Sequence, residues 1–170
     1  DIGLHFNLTQ AFPGVSAKPL PLLLLCSSLR RLPRSQIHLS FCRQLDAFEQ
    51  ALGRAPDYVD GHQHVHVLPQ IRNMVIDECR KRYGAGGMPY MRSIGNMPVD
   101  GTGTKGFILR AVGGEKHMRL LVQEKIPHNS AFGGVYDFDP TGNLDSRMDR
   151  WLAAMPDGAL IMCHPAAENA

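Results

Sequence analysis

Three of the chain's eight histidines, His62, His64 and His66, stand at alternate positions in "PDYVDGHQHVHVLP" (residues 56–69). Asp60 precedes them and Pro69 closes the run. Neutral imidazole is a common ligand for zinc and other divalent ions. A catalytic metal site typically takes three protein ligands and leaves a place for water. Each ligating imidazole also needs its second ring nitrogen held, usually by a carboxylate or carbonyl. If the segment is extended, alternate side chains point one way and the three rings converge. If it turns, they diverge, and only one or two reach a shared ion. Asp60 is placed to orient one of them. Two further histidines have a marked setting. His5 shares the polar side of "DIGLHFNLT" (residues 1–9) with Asn7, and His164 closes "GALIMCHP" (residues 158–165). His38 and His117 fall in helical stretches and His128 in a loop; these three read as structural or solvent-exposed.

The elements that must carry these groups follow from hydrophobic spacing. In residues 1–9, Ile2, Leu4, Phe6 and Leu8 alternate with Gly3, His5, Asn7 and Thr9, the pattern of a half-buried strand. Residues 10–34 contain Pro13, Gly14, Pro19, Pro21 and Pro33 and read as a long, partly irregular connection. Within them, "LPLLLLCSSL" (residues 20–29) reads as a core or lid segment. Ile37, Phe41, Leu45, Phe48 and Leu52 recur at helical spacing, with Ser35 as the expected cap and Gly53 as the stop. "PDYVD" reads as a short strand entering the histidine cluster. A second helix is expected on Ile71, Met74, Val75 and Cys79, ended by Gly84, with "MPYMRSI" (residues 88–94) as the next strand. Residues 105–125 suggest one or two helices broken at Gly113 and Gly114. "HNSAFGGVYDFDPTG" (residues 128–142) reads as a binding loop. Leu144, Met148, Trp151, Leu152 and Met155 mark another helix, and "ALIMC" a strand covered on both faces. Strands alternating with helices imply an α/β fold with parallel strands, in which chemistry gathers at the strands' carboxyl ends. The cluster at 62–66 and His164 both occupy such positions.

Bulk properties narrow the function. The 170 residues make one domain of ordinary length, and 44% hydrophobic with 20% charged residues can bury a core. A formal net charge of +2, with no long basic block, gives no reason to expect nucleic acid. No apolar run approaches the roughly 20 residues a membrane span requires. Cys26, Cys42, Cys79 and Cys163 form no CxxC pair and read as buried thiols of a reducing, cytoplasmic setting.

Three blocks resemble the YdjC-like (ChbG/HpnK-type) carbohydrate deacetylase family. "GLHFNLT" (residues 3–9) is similar to its G-[LM]-H-x-x-L-T strand, residues 56–71 to its D-[SG]-H-x-H-x-H-x-x-P signature, and "MCHPA" (residues 162–166) to its late histidine-proline block. "PYMRS" and "NSAFGGVYDF" match weaker positions. The resemblance implies an irregular (β/α) barrel-like fold with mostly parallel strands, and a divalent ion, Mg2+ or Zn2+. It implies hydrolysis of the N-acetyl group of an amino sugar or chitin-type oligosaccharide, and a possible homodimer. By position, His5 and His62 match the metal-binding histidines and His164 the general acid. Asp60, His64 and His66 match positions behind the metal or at the sugar, and Arg92 a pocket-supporting or substrate-binding position. The family's opening Asp-Asp-Phe-Gly strand, which carries a third ligand and the catalytic base, has no counterpart in residues 1–170. Nor do the strands after the histidine-proline block, so the expectation is a single domain incomplete at both ends. The competing expectations are another barrel metal-dependent hydrolase, a phosphoesterase or amidohydrolase, and a non-catalytic metal- or glycan-binding remnant.

Overall fold

The computed structural model describes residues 1–10, 17–99, 108, 110–136 and 143–163. Strand β1 (Leu4–Phe6) pairs in parallel with β2 (Tyr58–Gly61), and β2 pairs in parallel with β3 (Tyr90–Met91). A parallel bridge from Met91 to His128 leads on to β4 (Phe132–Gly133), which pairs in parallel with β5 (Leu160–Ile161). The architecture is mixed α/β with parallel strands, and the described strands do not close into a barrel.

Alternation along the strands separates two faces. Leu4, Phe6 and Val59 are buried on one side, where the Phe6 ring meets Phe41 edge-on at 4.9 Å between centroids. Phe41 belongs to α2 (Arg34–Leu52), whose Ile37, Phe41 and Leu45 form the apolar stripe that the spacing predicts. The start of α2 differs from expectation. It follows Pro33, and no side chain caps it; Pro33 fixes the entry dihedral and Ser35 lies inside the first turn. The end agrees: Gly53 has φ 68°, the left-handed conformation in which glycine carries no Cβ penalty. Gln44, buried on α2, accepts from the Asn7 backbone N–H (2.9 Å) and donates to the Asn7 carbonyl (2.8 Å). That exchange ties the end of β1 to the helix.

Helix α3 (Ile71–Tyr83) packs beside α2, with Ile71, Met74, Val75 and Cys79 inward and Gly84 following its last turn, as expected. In the connection expected at 10–34, of which residues 11–16 lie outside the described residues, the described part is helical where prolines suggested an irregular path. Residues 20–28 form α1 (Leu20–Ser28), with Pro21 in the first turn, where its missing N–H is not needed. Only part of α1 is core: Leu23 is fully buried, whereas Leu22, Leu25 and Leu29 are half-exposed. A π-type turn at Arg110–Gly114 leads into α4 (Glu115–Gln123). Helix α5 (Leu144–Ala154) starts at Asn143, whose side chain accepts from the Ser146 N–H. Among its expected core residues, Trp151 is buried but Leu144 and Leu152 are exposed.

Two expectations need correction. Strand β5 is not covered on both faces: Leu160 and Ile161 are half-buried, because they border an open cleft. The cysteines are all free, as expected, but only Cys79 is buried; Cys26 and Cys42 are half-buried and Cys163 is exposed.

Candidate metal centre

Parallel register sets up the site. His5 is the Cα partner of Asp60, so both side chains leave the sheet on the face opposite Leu4 and Val59. Tyr58 is likewise the partner of Tyr90, and Arg92 lies two residues beyond Tyr90. His5, Tyr58, Asp60, Tyr90 and Arg92 thus share one polar face. With Leu160 and Met162 they line a cleft of about 710 Å³.

Asp60 is the hinge of this face. Its Oδ1 lies 2.6 Å from His5 Nδ1 and its Oδ2 lies 2.8 Å from Arg92 Nη1. A carboxylate oxygen only accepts, so His5 Nδ1 is the protonated nitrogen and Nε2 presents its lone pair to the cleft. That Nε2 stands 3.4 Å from His62 Nδ1. Two nitrogens each about 2.1 Å from a tetrahedral ion are separated by about 3.4 Å. The pair therefore already has the span of one edge of a metal tetrahedron, with a carboxylate behind one of its members as ligating histidines require.

The three clustered histidines do not converge. Residues His62–Val67 form a 3-10 turn with a kink, and Gln63 and His64 have φ of 50° and 60°. His62 points to His5. His64 meets the Phe132 ring edge-on at 5.7 Å. His66 is buried, donates from Nε2 to the Arg92 carbonyl (2.8 Å) and meets the His117 ring at 5.3 Å. Burial holds the His66 imidazole well below its ordinary value, and the Arg92 guanidinium adds to the effect. His66 is thus a neutral packing residue, in a position unlike that of a metal ligand. Of the two geometries open to this segment, the turn is realised.

Arg92 is buried, and burial lowers its pKa, with Asp60 opposing. It also donates from Nη2 to the Gly61 carbonyl (2.6 Å) and stands over the Phe132 ring at 5.7 Å. These contacts make it a support for Asp60 and for the end of β2. His164 lies outside the described residues.

One participant lies outside the expected residues. Gly61 separates Asp60 from His62, and a Cβ there would stand 2.8 Å from the backbone nitrogen and Nδ1 of His66. Only glycine lets the turn fold back so closely. The signal was available: a glycine between a strand's acid and its histidines. His117, expected to be structural or solvent-exposed, is structural: it is buried against His66. Its clue was Leu121, four residues on and on the same helical face. His128 is half-buried, with Nδ1 2.6 Å from the Ile126 carbonyl, a structural role as expected.

Fold and site together define an α/β protein whose polar sheet face presents a carboxylate-oriented histidine pair. A family profile described as "YdjC-like protein" matches residues 1–170, and the chain belongs to that family. Among curated relatives, a carbohydrate deacetylase of Xenopus laevis is 34% identical over 99 residues, covering 48% of this chain and 32% of the relative. A carbohydrate deacetylase of Homo sapiens is 54% identical over 41 residues, 24% of this chain and 12% of the relative. A chitooligosaccharide deacetylase of Proteus mirabilis is 30% identical over 91 residues, 48% of this chain and 35% of the relative. The matched stretches thus span about a third or less of these relatives' lengths.

Proposed function

We propose that this chain forms the histidine-bearing part of a metal-dependent hydrolase that removes the N-acetyl group from an amino sugar or chitin-type oligosaccharide, releasing acetate and a free amine. The observation that carries the reading is the 3.4 Å approach of His5 Nε2 to His62 Nδ1, with Asp60 bonded to the far nitrogen of His5. The names of the relatives supply the substrate class.

His5 and His62 would hold the ion, Zn2+ or Mg2+; the imidazole pair suits zinc better. When bound, such an ion makes a water nucleophilic at neutral pH and polarises an acetamide carbonyl. Asp60 keeps the His5 lone pair aimed into the cleft, and Arg92, 2.8 Å from its other oxygen, holds the carboxylate in place. Tyr58 and Tyr90 border the cleft and offer an apolar ring with a hydroxyl handle to a sugar. His164 is assigned the proton donated to the departing amine, since an amine leaves poorly as an anion. Two imidazoles are fewer than the three ligands of a catalytic site, so a third donor must come from outside the described residues or from solvent. The five parallel strands are read as an arc of an irregular barrel, supported by the polar cleft on one face and helices on the other. The reducing, cytoplasmic setting rests on the four free thiols.

The test is acetate release from N-acetylglucosamine oligomers by the purified protein, with bound metal measured alongside. His62→Ala is expected to lose metal and turnover together, and His164→Ala to keep metal and lose turnover. Phosphate release from phosphoesters without acetate release would overturn the substrate class. Full metal occupancy in His62→Ala would overturn the ligand assignment.

A further inference from the structure

A second group of ligand-type side chains lies on the helical layer, away from the cleft. His38 and Cys42 stand four residues apart on α2, one turn along the same face, and Glu78 faces them from α3. His38 Nε2 lies 2.9 Å from Glu78 Oε2 and 3.5 Å from Cys42 Sγ. The imidazole nitrogen, the sulfur and the carboxylate oxygen all lie within 4.8 Å of one another. Among the described residues, this is the one group of three or more such side chains that converges in this way.

We propose that His38, Cys42 and Glu78 form a second metal site, for a borderline-soft divalent ion of the zinc type, bridging α2 and α3. The donor set is the first argument. One thiolate, one imidazole and one carboxylate suit zinc, whereas magnesium and calcium avoid sulfur. The second argument is span. Around a tetrahedral zinc, with bonds of about 2.1–2.3 Å, donor atoms stand roughly 3.3–3.8 Å apart. The 2.9 and 3.5 Å separations need only a few tenths of an ångström of adjustment, and the sulfur and the carboxylate oxygen, no more than 4.8 Å apart, close by about an ångström at most, within the reach of side-chain torsions.

The third argument concerns the cations nearby, which would otherwise oppose an ion. Arg82 donates from Nε to Glu78 Oε1 at 2.9 Å and from Nη1 to Asp46 at 2.7 Å. Lys81 Nζ stands 3.8 Å from Glu78 Oε2 but is largely exposed and free to swing away. Arg82 thus occupies one carboxylate oxygen and also donates from Nη2 to the Cys42 carbonyl at 3.4 Å, and it leaves the other Glu78 oxygen turned towards His38. Glu78 is ionised well below its ordinary value, to about 2, even though burial opposes this, because Arg82 and His38 bond to it. Burial raises the Cys42 thiol above its usual value, so at neutral pH it carries its proton. Metal binding would break that S–H bond, form a metal–sulfur bond and release the proton to solvent.

Three protein donors leave one position open. It faces a groove of about 380 Å³ bordered by Arg34, Ser35, Met74, Asp77 and Lys81. A water or a small anion fits there. An ion at this site would cross-link α2, which packs on β1, to α3, making it a stabilising site.

The test uses cobalt(II) as a spectroscopic stand-in for zinc with the purified chain. One equivalent is expected to give a thiolate-to-cobalt charge-transfer band in the near ultraviolet. The band should vanish in Cys42→Ser, persist in Cys163→Ser, and persist in His62→Ala. His38→Ala should weaken cobalt binding by on the order of tenfold or more. Absence of the band in the wild type, or a band that survives Cys42→Ser or follows Cys163, would overturn the proposal. If Cys42→Ser fails to fold, the wild-type chain still decides. Zinc should slow alkylation of Cys42, read by peptide mass, on the order of tenfold; an unchanged rate would refute the site. The His62→Ala arm separates failure here from failure of the cleft assignment.

Discussion

Asp60 is shared between two partners, and each half of the sharing has its own consequence. One oxygen sets the tautomer of His5 and the other neutralises buried Arg92. Asp60→Asn keeps the shape but removes the charge. It is expected to lower metal affinity at the His5–His62 pair by about 10–100-fold, the usual effect of removing a carboxylate behind a ligating histidine. It should also destabilise the fold by about 3–5 kcal/mol, because Arg92 is left buried without its counter-charge. Calorimetric metal titration and urea denaturation read the two effects separately; unchanged metal affinity would mean that Asp60 serves Arg92 alone. His66 and His117 act differently. Both are neutral by burial, and burial with the nearby Arg72 takes His117 down to about 3.

At the scale of elements, the path from β2 into the 3-10 turn decides which imidazole reaches His5. Gly61 makes that path possible, since a side chain there would strike His66. Gly61→Ala is expected to destabilise the chain by about 1–3 kcal/mol through overpacking. It should also separate His62 from His5, so that metal affinity falls in a variant that still folds. Wild-type metal affinity in Gly61→Ala would show that the turn tolerates the extra methyl. The helical elements were largely legible in advance. Ile37, Phe41 and Leu45 announced α2, and Ile71, Met74, Val75 and Cys79 announced α3. Helix α1 was not, because prolines usually break helices and only placement in the first turn exempts Pro21. The strands run shorter than the apolar runs that foretold them. "MPYMRSI" contributes only Tyr90 and Met91, which pair with Tyr58 and Val59, although β2 itself runs on to Gly61.

For the molecule as a whole, the helices cover one face of the sheet and the polar cleft occupies the other. Burying neutral imidazoles, as at His66 and His117, makes stability depend on pH. An exposed histidine gains its proton near 6.5, whereas His117 in the folded chain waits until about 3. Between those values the unfolded chain binds the extra proton, so folding stability falls as pH falls. Above about 6.5 neither state is protonated, and the contribution no longer varies. His66 shifts in the same direction. The slope is up to about 1.4 kcal/mol per pH unit for each such imidazole. Urea midpoints measured from pH 7 to 4 should decline, and His117→Leu should flatten the decline. A variant with the wild-type slope would show that His117 is protonated without penalty. Among the described residues, no helix is long and apolar enough to cross a membrane.

By itself, the sequence determined the class of fold, the two main helices, the polar side of β1 with its histidine, and the family. Each of these rests on local periodicity or on a contiguous motif, which neighbours along the chain express without help from distant residues. The tertiary structure alone decided which histidines meet. His5 and Asp60 are 55 residues apart and are joined by strand register. His62 separates from His64 and His66 because two residues of the turn adopt left-handed backbone angles. His38, Cys42 and Glu78 come together only where α2 lies against α3. Convergence of this kind depends on packing between segments remote in the chain, and spacing along one segment carries no record of it.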